Sequence, residues 1–415
     1  MVFGFAAAVS ALVVALAPRF LASEADTAVF ITFWSAFGVC SGVLTGLQLE
    51  VTRNVSTQPT EPPESSNTTI DARQPSSALD RATNPRVALV GIAIGVILSS
   101  LLTLTAFWWG RQLFSLYSHP TILAVVIAIG VIGLTSGLII GGGFLGIQDW
   151  KLFTTFAVAD TTARLVLILP VMLITRSVIA SAAATTIAAF MFLGFLAFSK
   201  QTKGVLNIRS DVPLRALLPR FGASVASTGA SAILVAGLPI LIAITTPDAE
   251  FAAAAPLLLA IVLTRAPLML PVSAMQGVAI AHFVKNRSSG LRTIWPFARI
   301  LIGVGLLGTL LAGLIGPSLM TLVGGPDYRL SGYVLAGLTF GAAGLALLTL
   351  TGVLCQAVAA YPALVGGWLT AVVVSILCLT LPLPLELRTV LALIIGSVVG
   401  IVVHLVALNA GGKAA

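Results

Sequence analysis

Apolar stretches of about a bilayer's thickness recur along the whole chain, and they decide what it can fold into. A transmembrane helix needs about 20 apolar residues. Reading apolar runs bounded by charges or turn residues gives twelve segments: 2–21, 28–48, 87–109, 121–147, 152–175, 177–199, 219–245, 251–284, 298–323, 331–358, 361–382 and 388–408. The loops left between them are short. Only 9% of the 415 residues are charged, against roughly a quarter in a soluble domain. A soluble enzyme, a disordered chain, a fibre and a disulfide scaffold are therefore excluded. The expectation is an all-α polytopic membrane protein with about 12 transmembrane helices.

The net charge of +8 would suggest nucleic acid in a soluble protein. Here the positions of the charges decide. Fifteen of the 22 Lys and Arg fall in the loops after helices 2, 4, 6 and 8 and at the C-terminus, and five fall in the opposite loops. Positive residues stay inside, so both termini are expected in the cytoplasm and the localisation is a multi-pass plasma (inner) membrane protein. The basic excess reads as topology, and no nucleic-acid partner is implied. The first run begins without a basic segment ahead of it, which fits a retained helix better than a signal peptide. Residues 54–86 are rich in Ser, Thr, Pro and Asn and poor in apolar residues, so a disordered cytoplasmic loop is expected there. Cys40, Cys355 and Cys378 fall inside apolar runs with no metal or disulfide spacing.

Two local matches suggest duplication. Arg176-Ser-Val-Ile-Ala opens helix 6 and Arg388-Thr-Val-Leu-Ala opens helix 12, while GLQLEVTRN from Gly46 and GVAIAHFVKN from Gly277 end helices 2 and 8. The matches lie six helices apart, an even number, so the halves keep one orientation. The expectation is two six-helix lobes related by a pseudo-two-fold axis along the membrane normal: an N-lobe of 1–199, a basic cytoplasmic linker of 200–218 and a C-lobe of 219–415.

Ionisable residues at membrane depth are costly unless paired or facing water. Asp160 and Arg164 in helix 5 are spaced i,i+4 and can pair on one face. They read either as a structural ion pair or as a cavity wall that binds an anion through Arg164. Arg265 in helix 8 has no acid on its own helix and stands among Pro256, Pro267 and Pro271; it reads as a structurally paired residue or as a second cleft arginine. Asp160 is expected to divide its charge between the two arginines when the cleft is empty. Gln276 lies on nearly the face of Arg265. His404 reads as a packed or hydrogen-bonded residue. GGGFLG (141–146) reads as tight helix packing rather than a phosphate loop. No HExxH, CxxC, P-loop or nucleotide-binding GxGxxG context is present, so no cofactor is expected, and without an ATPase module any active transport is expected to use an ion gradient, a partner or the substrate gradient.

FWSAFGVCSGVLTGLQLEVTRN (33–54), QDWKLFTTFAVADTTARLVLILPV (148–171), LTRAPLMLPVSAMQGVAIAHF (263–283) and the run from Gly352 to Gly400 resemble actinobacterial Wzx-type polysaccharide flippases. These belong to the multidrug, oligosaccharidyl-lipid and polysaccharide exporter superfamily, with the lipid II flippase and the drug/cation antiporters. The resemblance runs from about residue 5 to 408 and is carried by diffuse patterns. It implies two lobes in a V, alternating access, and a polyprenyl-pyrophosphate-linked glycan moved from the cytoplasmic to the outer leaflet. It places Arg164 and Arg265-Ala266-Pro267 on the family's arginine positions. The family's proline at the cytoplasmic end of helix 8 is missing here, where Ala281 and His282 stand.

Four functions compete. A flippase matches a doubly anionic pyrophosphate to Arg164 and Arg265, with Asp160 and Gln276 as further cleft residues. Its partners would be the lipid-linked glycan, membrane lipids, and envelope glycosyltransferases or a polymerase. A drug/cation antiporter would want acids in the cleft, where one acid meets two arginines. A membrane glycosyltransferase could use Glu24 and Asp26, but lacks an outer domain. A non-transporting scaffold of envelope biosynthesis predicts that both arginines are dispensable. The expectation is a transporter and not an enzyme.

Overall fold

Where water cannot reach the backbone, every N–H and C=O must be satisfied within the segment, and the apolar runs accordingly become helices. The computed structural model describes residues 2–56, 84–285 and 293–411. The first half contains α1 (Val2–Phe20), α2 (Glu24–Ser56), α3 (Val87–Leu113), α4 (Pro120–Gly146), α5 (Trp150–Thr175), α6 (Val178–Ala188) and α7 (Phe192–Phe198). A short α8 (Lys200–Asn207) leads to α9 (Leu214–Ala236), α10 (Leu238–Thr245), α11 (Asp248–Ala252) and α12 (Ala255–Lys285). Then follow α13 (Trp295–Gly324), α14 (Gly332–Ala357), α15 (Tyr361–Leu379) and α16 (Leu385–Gly411). Among the described residues nine helical spans are long and apolar enough to cross a membrane, and the bent pair α9–α10 makes a tenth. The shorter apolar stretches Ala8–Phe20 and Ala255–Met269 lie within α1 and α12. The protein is an all-α, two-lobed membrane fold.

Several boundaries follow local chemistry rather than hydropathy. Asp149 caps α5 by accepting from the Leu152 amide at 2.9 Å, and Arg176 closes it in the left-handed region at φ 49°. The sixth expected span carries a short turn at 189–191 yet remains one span, and the seventh turns by 70° between Ala236 and Leu238. The paired RSVIA and RTVLA motifs differ in setting. Arg176 is the cap before α6, whereas Arg388 lies inside α16 and holds Glu250 at 2.6 Å.

Packing partners recur between the halves. α3 packs on α4 as α13 packs on α14, and α2 packs on α4 as α12 packs on α14. In the same way α5 on α6 is matched by α15 on α16, and α1 on α5 by α9 on α15. The halves meet where α2 packs on α9 and α1 packs on α12. These two contacts are counterparts under the same correspondence.

The α2–α9 seam is close because glycines line it. Gly38, Gly42 and Gly46 recur every fourth residue, hence on one helical face. A Cβ on Gly42 would lie 2.7 Å from the Ala232 Cβ, and one on Gly46 would lie 2.6 Å from the Ser224 backbone and the Val225 Cα. Across the seam Thr228 Oγ1 donates to the Val43 carbonyl at 2.9 Å. The GGGFLG stretch is also packing: a Cβ on Gly142 would meet the Gln48 carbonyl at 2.6 Å, and one on Gly143 would overlap Val205 of α8.

Both ends of the polar stretch 54–86 are structured, contrary to the expectation of disorder throughout; residues 57–83 of that loop lie outside the described residues. Asn54 is buried at the end of α2. Its Nδ2 donates to the enclosed Glu50 carboxylate at 2.8 Å, and its Oδ1 accepts from Ser210 Oγ at 3.0 Å. The chain at 84–87 pairs with 208–210 through Val87 N to Ile208 O (3.1 Å) and Ser210 N to Pro85 O (2.8 Å). The segment before α9 is thereby docked against the ends of α2 and α3.

Backbone cannot yield as a flexible side chain can. Gly46→Ala is therefore expected to destabilise the protein by about 1–3 kcal/mol, while Gly38→Ala, whose Cβ would sit 3.6 Å from Ala236 Cβ, leaves it near wild type. Thermal melts of the detergent-solubilised variants measure the difference, and equal melting temperatures would sink this account of the seam.

Candidate functional site

Helix α5 presents Asp160 and Arg164 one turn apart. Arg164 Nε donates to Asp160 Oδ2 at 3.0 Å and Nη2 donates to Oδ1 at 3.2 Å. This two-pronged geometry suits the planar guanidinium fork. The Phe37 ring lies beneath the guanidinium, 5.7 Å from its carbon to the ring centroid. Thr161, beside the pair, donates to the Ala157 carbonyl at 2.9 Å and keeps its oxygen free to accept.

The pair stands in the walls of two cavities of about 310 and 240 Å³, which share Ala6, Ser41, Asp160, Thr161 and Arg164. The larger runs past Thr45, Gln48 and Gly141 to Phe153 and Phe156. The smaller is lined by Ser10, Trp34 and Phe37, with Trp34 Nε1 donating to Ser10 Oγ at 2.9 Å. All these residues come from α1, α2, α4 and α5. The carboxylate cancels the guanidinium charge, so the cavity is polar but close to neutral. Hydroxyls, one amide and aromatic rings make up its functional surface. Among the described residues Arg164 Nη1 makes no hydrogen bond, leaving a donor for a ligand.

Arg265 is not brought into these walls. Its Nη1 donates to the backbone carbonyl of Val235 near the end of α9, and Nη2 is buried without a hydrogen-bond partner among the described residues. The expected division of the Asp160 charge between two arginines is therefore corrected: both carboxylate oxygens are engaged by Arg164. The Gln276 backbone belongs to α12, and its side chain lies outside the described residues. His404 is enclosed, with Nε2 donating to the Leu364 carbonyl at 3.1 Å and Nδ1 sharing a hydrogen bond with Thr351 Oγ1 at 2.8 Å. Sequence reasoning passed over Ser10, Ser41, Thr45 and Gln48, because small polar residues in an apolar helix carry no distinctive spacing. It also passed over the Gly38/Gly42/Gly46 repeat, whose four-residue period was a readable signal.

No family model matches the chain. Two proteins of Mycobacterium tuberculosis do: the uncharacterized protein Rv3630, 37% identical over 98% of this chain and 90% of its own length, and the uncharacterized protein Rv1510, 35% identical over 92% and 84%. The chain belongs to their family. Among solved structures, the fold is similar to the inward-facing conformation of a multidrug resistance MATE family transporter of the MOP superfamily, with TM-score 0.72, 14% identity, and 99% and 96% of the two chains covered. It is equally similar to the lipid II flippase MurJ in an inward closed conformation, with TM-score 0.72, 12% identity, and 98% and 86% covered. An outward-facing MATE structure reaches TM-score 0.65 at 16% identity, over 100% and 94%. The chain therefore has a two-lobed fold similar to that of these transporters.

The ion pair sets a test of its own. Arg164→Gln leaves Asp160 charged in a half-buried wall, whereas Asp160→Asn/Arg164→Gln removes both charges. The double variant is expected to be more stable than Arg164→Gln alone, with a coupling of about 1 kcal/mol from a double-mutant cycle of thermal melts. Additive single effects would mean that the two side chains act separately.

Proposed function

We propose that this protein is a membrane transporter that moves a polyprenyl-pyrophosphate-linked glycan from the cytoplasmic to the outer leaflet by alternating access between its lobes. The observation that carries the reading is the Asp160–Arg164 cavity: an internally neutralised pair surrounded by hydroxyls and the rings of Trp34, Phe37 and Phe156. Sugar rings offer hydroxyl donors and acceptors on their edges and C–H groups on their faces, and such a cavity complements both. Its volume is at the lower end for a ligand pocket, enough for one part of a head group while the polyprenyl tail stays in lipid.

Orientation supports the same reading. The basic loops favour a cytoplasmic placement for the end that carries them. At the opposite end the halves are tied by Arg19, which donates to the Val323 carbonyl at 2.8 Å and to the Leu322 carbonyl, and by Ser115 Oγ donating to Asp248 at 2.6 Å. The larger cavity meanwhile runs toward the basic end through Gln48, Gly141 and Phe153. A closed outer side and a cavity reaching inward suit substrate loading from the cytoplasm. We place the lobes at 1–199 and 219–415, joined by the basic segment 200–218. A drug/cation antiporter of the same fold is the second reading, favoured by the carboxylate of Asp160; the Arg164 clamp on both its oxygens weighs against cation binding.

Depletion of the protein followed by lipid extraction tests the proposal. One polyprenyl-linked glycan is expected to accumulate on the cytoplasmic face. Re-expressed Arg164→Gln, present at normal abundance, is expected to leave that lipid accumulated. Unchanged glycolipids on depletion, with altered drug or cation resistance instead, would favour the antiporter.

A further inference from the structure

The break between α9 and α10 has a cause in the sequence. A helical N–H closes on the carbonyl four residues earlier. For the Val235 carbonyl that donor would belong to residue 239, which is a proline and has none. The chain turns by 70° at this point, with Gly237 between the two helices. Carbonyls freed in this way sit at a helix C-terminus, which carries a partial negative charge, and inside a membrane they need donors.

Two side chains supply them. Arg265 Nη1 donates to the Val235 carbonyl and Ser35 Oγ donates to the Ala236 carbonyl. Arg265 comes from α12, in the same half as the break, whereas Ser35 comes from α2 in the other half. Gly237 itself is pressed against α2, where an added Cβ would meet the Val39 side chain at 3.1 Å. The break is thus bonded to both halves at the point where they meet.

We propose that Arg265 acts as a tethered cation for the broken helix α9. It satisfies the carbonyl that Pro239 orphans and, together with Ser35, holds the α9–α10 bend against the opposite lobe; it positions the lobes and does not ligate substrate. This explains how an arginine without an acid on its own helix is tolerated at membrane depth, since its counter-charge is a helix end. The proposal requires only that the lobes rearrange, whatever the cargo.

The test uses the full chain in lipid nanodiscs, with Cys40, Cys355 and Cys378 replaced by Ala and cysteines introduced by Ser115→Cys and Asp248→Cys. Disulfide yield then reports closure of the end opposite the basic loops, with no substrate present. Arg265→Ala is expected to shift the closed-to-open ratio by about tenfold toward open, the effect of losing one hydrogen bond from a charged group. Arg265→Lys should retain most of the closure. Pro239→Ala supplies an amide that can close on the Val235 carbonyl when the segment straightens, so it should itself lower closure. In that background Arg265→Ala should have no further effect. Should Arg265→Ala alone fail to fold, Pro239→Ala is expected to rescue it. The proposal is overturned if Arg265→Ala leaves closure of the empty protein unchanged, as a pure substrate ligand would, if the two effects add independently, or if Pro239→Ala does not rescue a misfolded Arg265→Ala.

Discussion

Close approach of α2 and α9 is the constraint on which the rest of this architecture depends. Lipid tails are as apolar as leucine, so helices in a bilayer gain little by hiding apolar surface from one another. Contact must come from tight packing and from hydrogen bonds. Gly42 and Gly46 remove the side chains that would hold Ala232, Ser224 and Val225 away, and Thr228 and Ser35 then reach backbone carbonyls across the seam. The same helix turns Trp34, Phe37, Ser41, Thr45 and Gln48 toward the cavities. One helix therefore both fastens the halves and lines the candidate site, so a shift of the seam must reshape the cavity.

Three intramembrane or membrane-edge arginines find three different partners. Arg164 is held by a carboxylate one turn away on its own helix, and the pair leaves a near-neutral cavity. Arg388 reaches Glu250 from a different element at 2.6 Å. Arg265 meets a helix end rather than an acid. The chemical consequence differs between the two kinds of partner. A carboxylate partner cancels the charge and leaves a polar surface. A helix end is cancelled only as long as the helix stays broken there, so the arginine and the backbone conformation depend on one another. The similarity of the fold to that MATE structure sets both arrangements in a two-lobed scaffold.

Much of the fold was legible in the sequence because bilayer thickness is a single length that every span must match. Hydropathy therefore located the spans, and the 3.6-residue period alone was enough to set Asp160 beside Arg164. Hydropathy failed where a boundary depends on backbone donors. The 70° turn at Gly237, where Pro239 withholds a donor, lies in a run whose composition hardly changes. Polarity alone also misjudged the ends of the 54–86 stretch, since Asn54 is polar and yet is the buried hub joining Glu50 to Ser210.

What the sequence by itself determined is everything that depends on near neighbours along the chain: helical class, the position of the apolar spans, the i,i+4 ion pair, and the glycine period of α2. Only the tertiary structure decided which helix that glycine face would meet, and which acceptor Arg265 would take 30 residues away. The physical reason is that every residue carries a carbonyl. A carboxylate announces itself in the sequence as an acceptor, whereas a backbone carbonyl becomes one only when its helical donor is absent and the fold brings a guanidinium within reach. Pro239 marked the missing donor; the reach of Arg265 from α12 to the end of α9 supplied what replaces it.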